Sequence, residues 1–143
     1  MSNSKKNTIL LSIKTEYANK ILNGSKKYEF RGWKLPDNVE YVVIYSSGVE
    51  KKIVGQFRIE KVIEDTPEKI WSFCQDKAGA SEKEFYNYVY SFNYDKIYAI
   101  KIKDIKSFSN FLPLSDIDDG FFAPQRFKYL THKQIETIKR RSI

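Results

Sequence analysis

Apolar residues along this chain recur with a period of two in some stretches and of three to four in others, and each regime marks an element. Thr8 to Ile13 has few polar interruptions and predicts a strand buried on both faces. Tyr17 with Ile21, and Ala18 with Leu22, stand four apart, so they form one apolar face of a short helix from about Thr15 to Asn23. Asn23 and Gly24 supply its end, because a helix closes most cheaply on a residue that tolerates positive φ. Tyr28 and Phe30 then alternate with Glu29 and Arg31, which predicts a half-buried strand running to about Lys34 with Lys27, Glu29 and Arg31 on its polar side. Leu35 to Asn38 reads as a turn by proline geometry and Asx chemistry. Glu40 to Ser46 is β-branched and aromatic, a central strand. After a turn at Ser46 to Gly48, Lys51 to Ile63 is the long second arm of a hairpin, with Ile53, Gly55, Phe57 and Ile59 on one face. Gly55 inside that arm predicts a bulge or a close backbone approach.

The second half begins with a helix start at Thr66, Pro67 and Glu68, a hydroxyl cap followed by proline at the first helical position. That helix runs to about Gln75 and buries Ile70, Trp71 and Cys74. Ser81 with Glu84 is a capping box, opening a helix whose inner face carries Phe85, Tyr88 and Val89. Lys96 to Lys103 alternates, with Tyr98, Ile100 and Ile102 inward and Lys101 and Lys103 outward, a half-exposed strand. From Ser107 to Leu130 the period is lost; Asp116 to Gly120 is acidic and turn-rich, and Phe121 to Phe127 is too aromatic for a solvated linker, so an ordered loop is expected. Thr131 with Gln134 caps a last helix ending in Lys139, Arg140 and Arg141. Strands alternating with short helices predict a closed or nearly closed mixed sheet rather than a doubly wound one. The organisation expected is a flexible tail over residues 1–7 and one domain over 8–143, since 143 residues suit a single core.

The stretch from Gly24 to Arg31 is the most chemically loaded: a glycine, two lysines, a carboxylate and an arginine within eight residues, where a helix passes into a strand. Gly24, Lys26, Glu29 and Arg31 match the Gly-x-Lys-x-x-Glu-x-Arg signature of the ASCH domain family, which the chain resembles over roughly residues 8 to 105. The N-terminal strand, the helix ending at that glycine and a later strand with an internal glycine are also similar to the family's order of elements. The resemblance implies an α+β fold, a single PUA-like β-barrel of five or six strands decorated by about four short helices, and a role acting on or with RNA. It also implies a second possibility. The family includes a small bacterial amidohydrolase of an acylated cytidine nucleoside, working through the motif lysine, a threonine three residues later and a distant glutamate; other relatives are ribonucleases or RNA-binding modules. Carried over, the lysine is Lys26, but the threonine position holds Glu29, which counts against amidohydrolase chemistry. Glu82 and Glu84 lie in the region of the distant glutamate, and the capping box already accounts for Glu84.

Charge and aromatic content refine the picture. Lysine and arginine number 25 against 18 acidic residues, giving +7 and a pI near 9.3, a balance that suits an anionic partner and equally a lysine-rich surface that keeps a small protein in solution. Ten tyrosines, ten phenylalanines and two tryptophans beside these cations suit base stacking. The candidate binding set is Gly24, Lys26, Lys27, Glu29, Arg31, Trp33, Ser46, Ser47, Gln125 and Arg126, with Lys26 and Glu29 the catalytic pair if the protein is an enzyme. Plainer roles are expected for Tyr41, Tyr45 and Phe57 as core, for His132 as an exposed residue beside a cap, and for Lys139 to Arg141 as a solvated helix end complementing the dipole. One cysteine, Cys74, reads as a buried thiol, and with one histidine besides, neither a metal site nor a cofactor is expected. The longest apolar run, Tyr41 to Tyr45, falls far short of the ~20 residues of a membrane span. The basic start lacks a long apolar segment after it, so a cytosolic chain is expected. Three functions remain open: an RNA- or nucleotide-binding module with a basic cleft, a metal-independent hydrolase of a modified nucleoside or of RNA, and a regulatory protein-binding domain using Phe121 to Tyr129.

Overall fold

The helix boundaries follow local chemistry. In the computed structural model, which describes residues 6–143, α1 (Thr15–Leu22) closes on Asn23 and on Gly24 at φ +85°. Helix α2 (Pro67–Cys74) starts where Thr66 accepts from the Lys69 N–H, and α3 (Glu82–Ser91) and α4 (His132–Arg141) each open on a complete capping box. Each box satisfies two otherwise orphaned backbone donors, which fixes the helix start to the residue.

Six strands make one mixed sheet: β1 (Asn7–Lys14), β2 (Tyr28–Arg31), β3 (Val39–Ser47), β4 (Lys52–Asp65), β5 (Ile97–Leu112) and β6 (Phe127–Tyr129). Their order is β2-β5-β4-β3-β1-β6; β1 and β3 are parallel and every other pair is antiparallel. With β2 and β6 at the two edges the ladder does not close, and the curled sheet is a half-barrel with four α-helices, the expected α+β class. The tail expected over residues 1–7 lies outside the described residues up to residue 5, and Asn7 already belongs to β1.

Burial explains the rest. β1 is covered on both faces, as its apolar run predicts: Ile9, Leu11 and Ile13 pack with Ala18 and Ile21 of α1, whereas Leu10 faces Phe108, Leu112 and Ile138. Two expectations about strands are corrected. The motif strand stops at Arg31 rather than near Lys34. Strand β5 is not half-exposed over its first residues, because Ile97 and Ala99 are sealed by Ile70, Cys74, Phe85 and Val89 of α2 and α3. It also continues to Leu112, well past the clean alternation. The bulge expected at Gly55 is present as a register shift between Ile53 and Gly55, where a Cβ would lie 2.5 Å from the Lys106 carbonyl.

Candidate functional site

Where the half-barrel stays open, between the β2 edge and β1, a cleft of about 580 Å³ is floored by the motif. Lys26 follows the turn at Asn23, Gly24 and Ser25 that ends α1, and its side chain turns inward, leaving it 2% exposed. Its Nζ donates to the Ala78 carbonyl at 2.6 Å and lies 3.8 Å from Glu29 Oε1, too far for a hydrogen bond. The ammonium sits over the rings of Phe30 (4.8 Å) and Tyr17 (5.1 Å). Burial lowers the Lys26 pKa from its ordinary value, and the Glu29 charge offsets part of that shift.

Glu29 and Arg31 share one side of β2, and that side faces the cleft rather than solvent, so Glu29 is only 6% exposed. Arg31 donates to Glu29 Oε2 through Nε (3.0 Å) and Nη2 (2.6 Å). Its Nη2 also reaches the Ser12 carbonyl on β1 at 2.9 Å, so one guanidinium ties the two lips of the open barrel together. A charge-assisted pair of this kind gains geometric definition as well as energy.

Tyr17, read from sequence only as an apolar helix position, carries a hydroxyl that donates to Glu84 Oε2 at 2.6 Å. Glu84 Oε1 meanwhile accepts from the Ser81 N–H in the capping box. The Tyr17 hydroxyl, then the Ser81 backbone, hold the Glu84 carboxyl down from 4.5 to about 2. Desolvation, then Glu84, raises the Tyr17 pKa, so its phenol stays protonated at neutral pH. Since the folded Glu84 pKa is depressed, the stability it contributes is present above pH 4.5 and is lost as pH falls toward about 2. Tyr17→Phe should therefore make the acid-induced loss of stability across that window shallower, as read by urea melts at stepped pH; unchanged slopes would discard the assignment.

The other candidates are distributed as follows. Ser47 and Gln125 line the cleft, and the segment bearing Gln125 is anchored where Ser12 Oγ donates to the Pro124 carbonyl at 2.8 Å. Ser46 is fully buried, and its hydroxyl donates to Thr15 Oγ1 at 2.8 Å instead of facing the cleft. Gly24 and Lys27 shape the turn: the Lys27 N–H donates to the Lys77 carbonyl and its carbonyl accepts from Ile102. Trp33 stacks on Phe127 at 5.8 Å and is flanked by the guanidinium groups of Arg31 (5.8 Å) and Arg126 (5.2 Å), so its ring already has partners outside the cleft wall. Cys74 is buried and its thiol is pushed up to about 11 by desolvation. His132 and Lys139 to Arg141 are exposed. Sequence reasoning missed Tyr17, Ser12 and Phe92 as cleft residues; Glu84, which it placed with Glu82 in the region of the distant glutamate while explaining it by its cap, lines the cleft. A tyrosine on a helix's buried face was the available signal, since a buried phenol usually has a partner.

Comparison with known proteins bears on this geometry. A sequence model described as the ASCH domain matches residues 11–106. The fold is similar to the crystal structure of ASCH from Zymomonas mobilis, 21% identical with a TM-score of 0.87, over 96% of each chain. A tyrosine-to-phenylalanine variant of that protein is matched at 20% identity and a TM-score of 0.87, over 96% of this chain and 100% of that one. The N-terminal domain of Staphylothermus marinus McrB is similar at 9% identity and a TM-score of 0.61, over 96% of this chain and 95% of that one. At these identities the likeness shows a shared fold. Among curated protein sequences nothing matches.

Proposed function

Because the chain belongs to the ASCH domain family, whose PUA-like fold is associated with RNA binding, we propose that its cleft binds a nucleotide unit of single-stranded RNA. The observation that carries this reading is the convergence of Lys26, Glu29 and Arg31 on the floor of one cleft of about 580 Å³, a size suited to one nucleotide. Charges on that floor nearly cancel: Lys26 and Arg31 stand against Glu29 and Glu84. A base or ribose, polar and uncharged, suits such a floor better than a phosphate does. Lys26 has two donors beyond the one given to Ala78, and Glu29 supplies an acceptor, so both hydrogen-bonding senses of a base edge can be met. The phosphate belongs at the rim, where Lys14 is exposed.

The test is titration of the protein with adenosine 5′-monophosphate and short single-stranded RNA at several salt concentrations. Affinity for RNA should fall with salt, by a slope of about −0.7 in log–log terms per phosphate contact. Lys26→Met, which keeps length and removes the charge, should weaken binding by roughly tenfold or more. No binding at low ionic strength, or affinity indifferent to salt, would overturn the reading. A second reading, hydrolysis of a modified nucleoside or of RNA, is supported by the lowered pKa of Lys26, which makes a neutral amine more accessible as a base. The same samples separate the two: new product signals that vanish in Lys26→Met identify a hydrolase.

A further inference from the structure

Phe92, the C-cap residue just after α3, lines the motif cleft and yet is 60% exposed. Single exposed apolar residues are common and mean little on their own. Phe92 differs in how it is held. Its ring stacks on Tyr94 with centroids 5.3 Å apart and planes 19° from parallel, and Tyr88 meets both rings, at 5.6 Å and 5.4 Å. Tyr94 in turn lies over Gly32, where a Cβ would fall 2.0–2.2 Å from its ring atoms. Any side chain at position 32 would expel that ring. The Gly32 N–H also donates to the Tyr88 hydroxyl at 3.0 Å, so the stack is fastened to the backbone immediately after Arg31. Phe92 thus has a near-parallel ring stacked on it and Tyr88 set at an angle against it, yet most of its surface stays exposed at the rim of a polar cleft.

We propose that Phe92 is a stacking platform for a purine base, holding its plane while the base edge turns toward Lys26 and Arg31. The proposal rests on the nucleotide reading above and goes beyond it by naming the residue that grips the base and the class of base it favours. A purine is preferred because its larger π-surface covers more of the ring, and stacking on aromatic side chains is tolerant of sequence but not of a missing base. No motif pointed to Phe92; its support by Tyr94, Tyr88 and Gly32 exists only in the folded chain.

The experiment compares adenosine 5′-monophosphate with ribose 5-phosphate, which lacks the base, on wild type, Phe92→Ala, Phe92→Leu and Phe92→Trp. Both losses of the ring should weaken adenosine monophosphate binding roughly 5- to 150-fold, while Phe92→Trp retains it. Ribose 5-phosphate should bind all four proteins alike. Adenine H2 and H8 should move upfield on binding wild type and not on binding Phe92→Leu. If Phe92→Leu binds the nucleotide as tightly as wild type while Lys26→Met still weakens it, the nucleotide cleft stands and the platform is wrong. If wild type binds neither ligand, the nucleotide reading fails and takes the platform with it. Thermal melts of the variants, at an exposed position, establish that each is folded.

Discussion

Replacing Glu29 with alanine should cost about 3–5 kcal/mol of stability, because it leaves two cations in a site that water barely reaches. Glu29 accepts two bonds from Arg31 and stands 3.8 Å from the Lys26 ammonium, with only 6% of the residue exposed. A carboxylate on a solvated sheet face would matter by no more than about 0.5 kcal/mol. The loss should also depend on pH in a definite sense. The Lys26 pKa is lowered in the folded state, so between that value and 10.5 the unfolded chain binds more protons and stability rises with pH. Without Glu29 the Lys26 pKa falls further, the window widens, and the variant should regain stability on going from pH 7 to 9.5 more steeply than wild type. Urea melts at both pH values check this. A loss below about 1 kcal/mol at pH 7, less than truncating a buried pair costs, would show that the floor of the cleft is wetter than its geometry implies.

Gly79→Ala should combine two penalties. Gly79 adopts φ +66°, which costs a residue with a side chain about 1–2 kcal/mol. Its new Cβ would also lie 2.5 Å from Lys26 Cβ and 2.7 Å from Cγ, an overpacking worth about 1–3 kcal/mol. Gly48→Ala separates the two, since Gly48 has φ +90° with nothing within 4 Å of the added carbon. The Gly48 variant should lose the backbone part alone and bind adenosine 5′-monophosphate as wild type does. The Gly79 variant should lose more and bind more weakly, because the displaced Lys26 side chain gives up its 2.6 Å bond to Ala78. Equal stability losses in the two variants would show that the Lys26 stem yields freely.

Legibility in the sequence tracks how local each cause is. Capping boxes at Ser81 and Thr131 and the glycine stop after α1 act within four residues, and all three stand where the sequence puts them. β5 was only half visible because its alternation breaks at Asp104, which takes φ +51° beside register shifts against β4; its remaining residues are held by distant partners such as Ile53 opposite Leu112. The motif showed which residues carry charge. That Glu29 and Arg31 face a cleft rather than water depends on the curl of the sheet, which no eight-residue window contains. Glu84 illustrates the limit: the capping box accounts for one carboxylate oxygen, and the other is spoken for by Tyr17, 67 positions away.

The pairing of β6 with β1 has a bearing on synthesis. Ile9 to Leu11 emerge well before their outer-edge partners, Tyr129 to Phe127. At about 5–20 residues per second a ribosome needs roughly 6–23 s to span that interval. Throughout it the nascent chain presents an apolar strand edge open to pairing with another nascent chain, and only the delayed arrival of Phe127, Lys128 and Tyr129 withdraws the invitation.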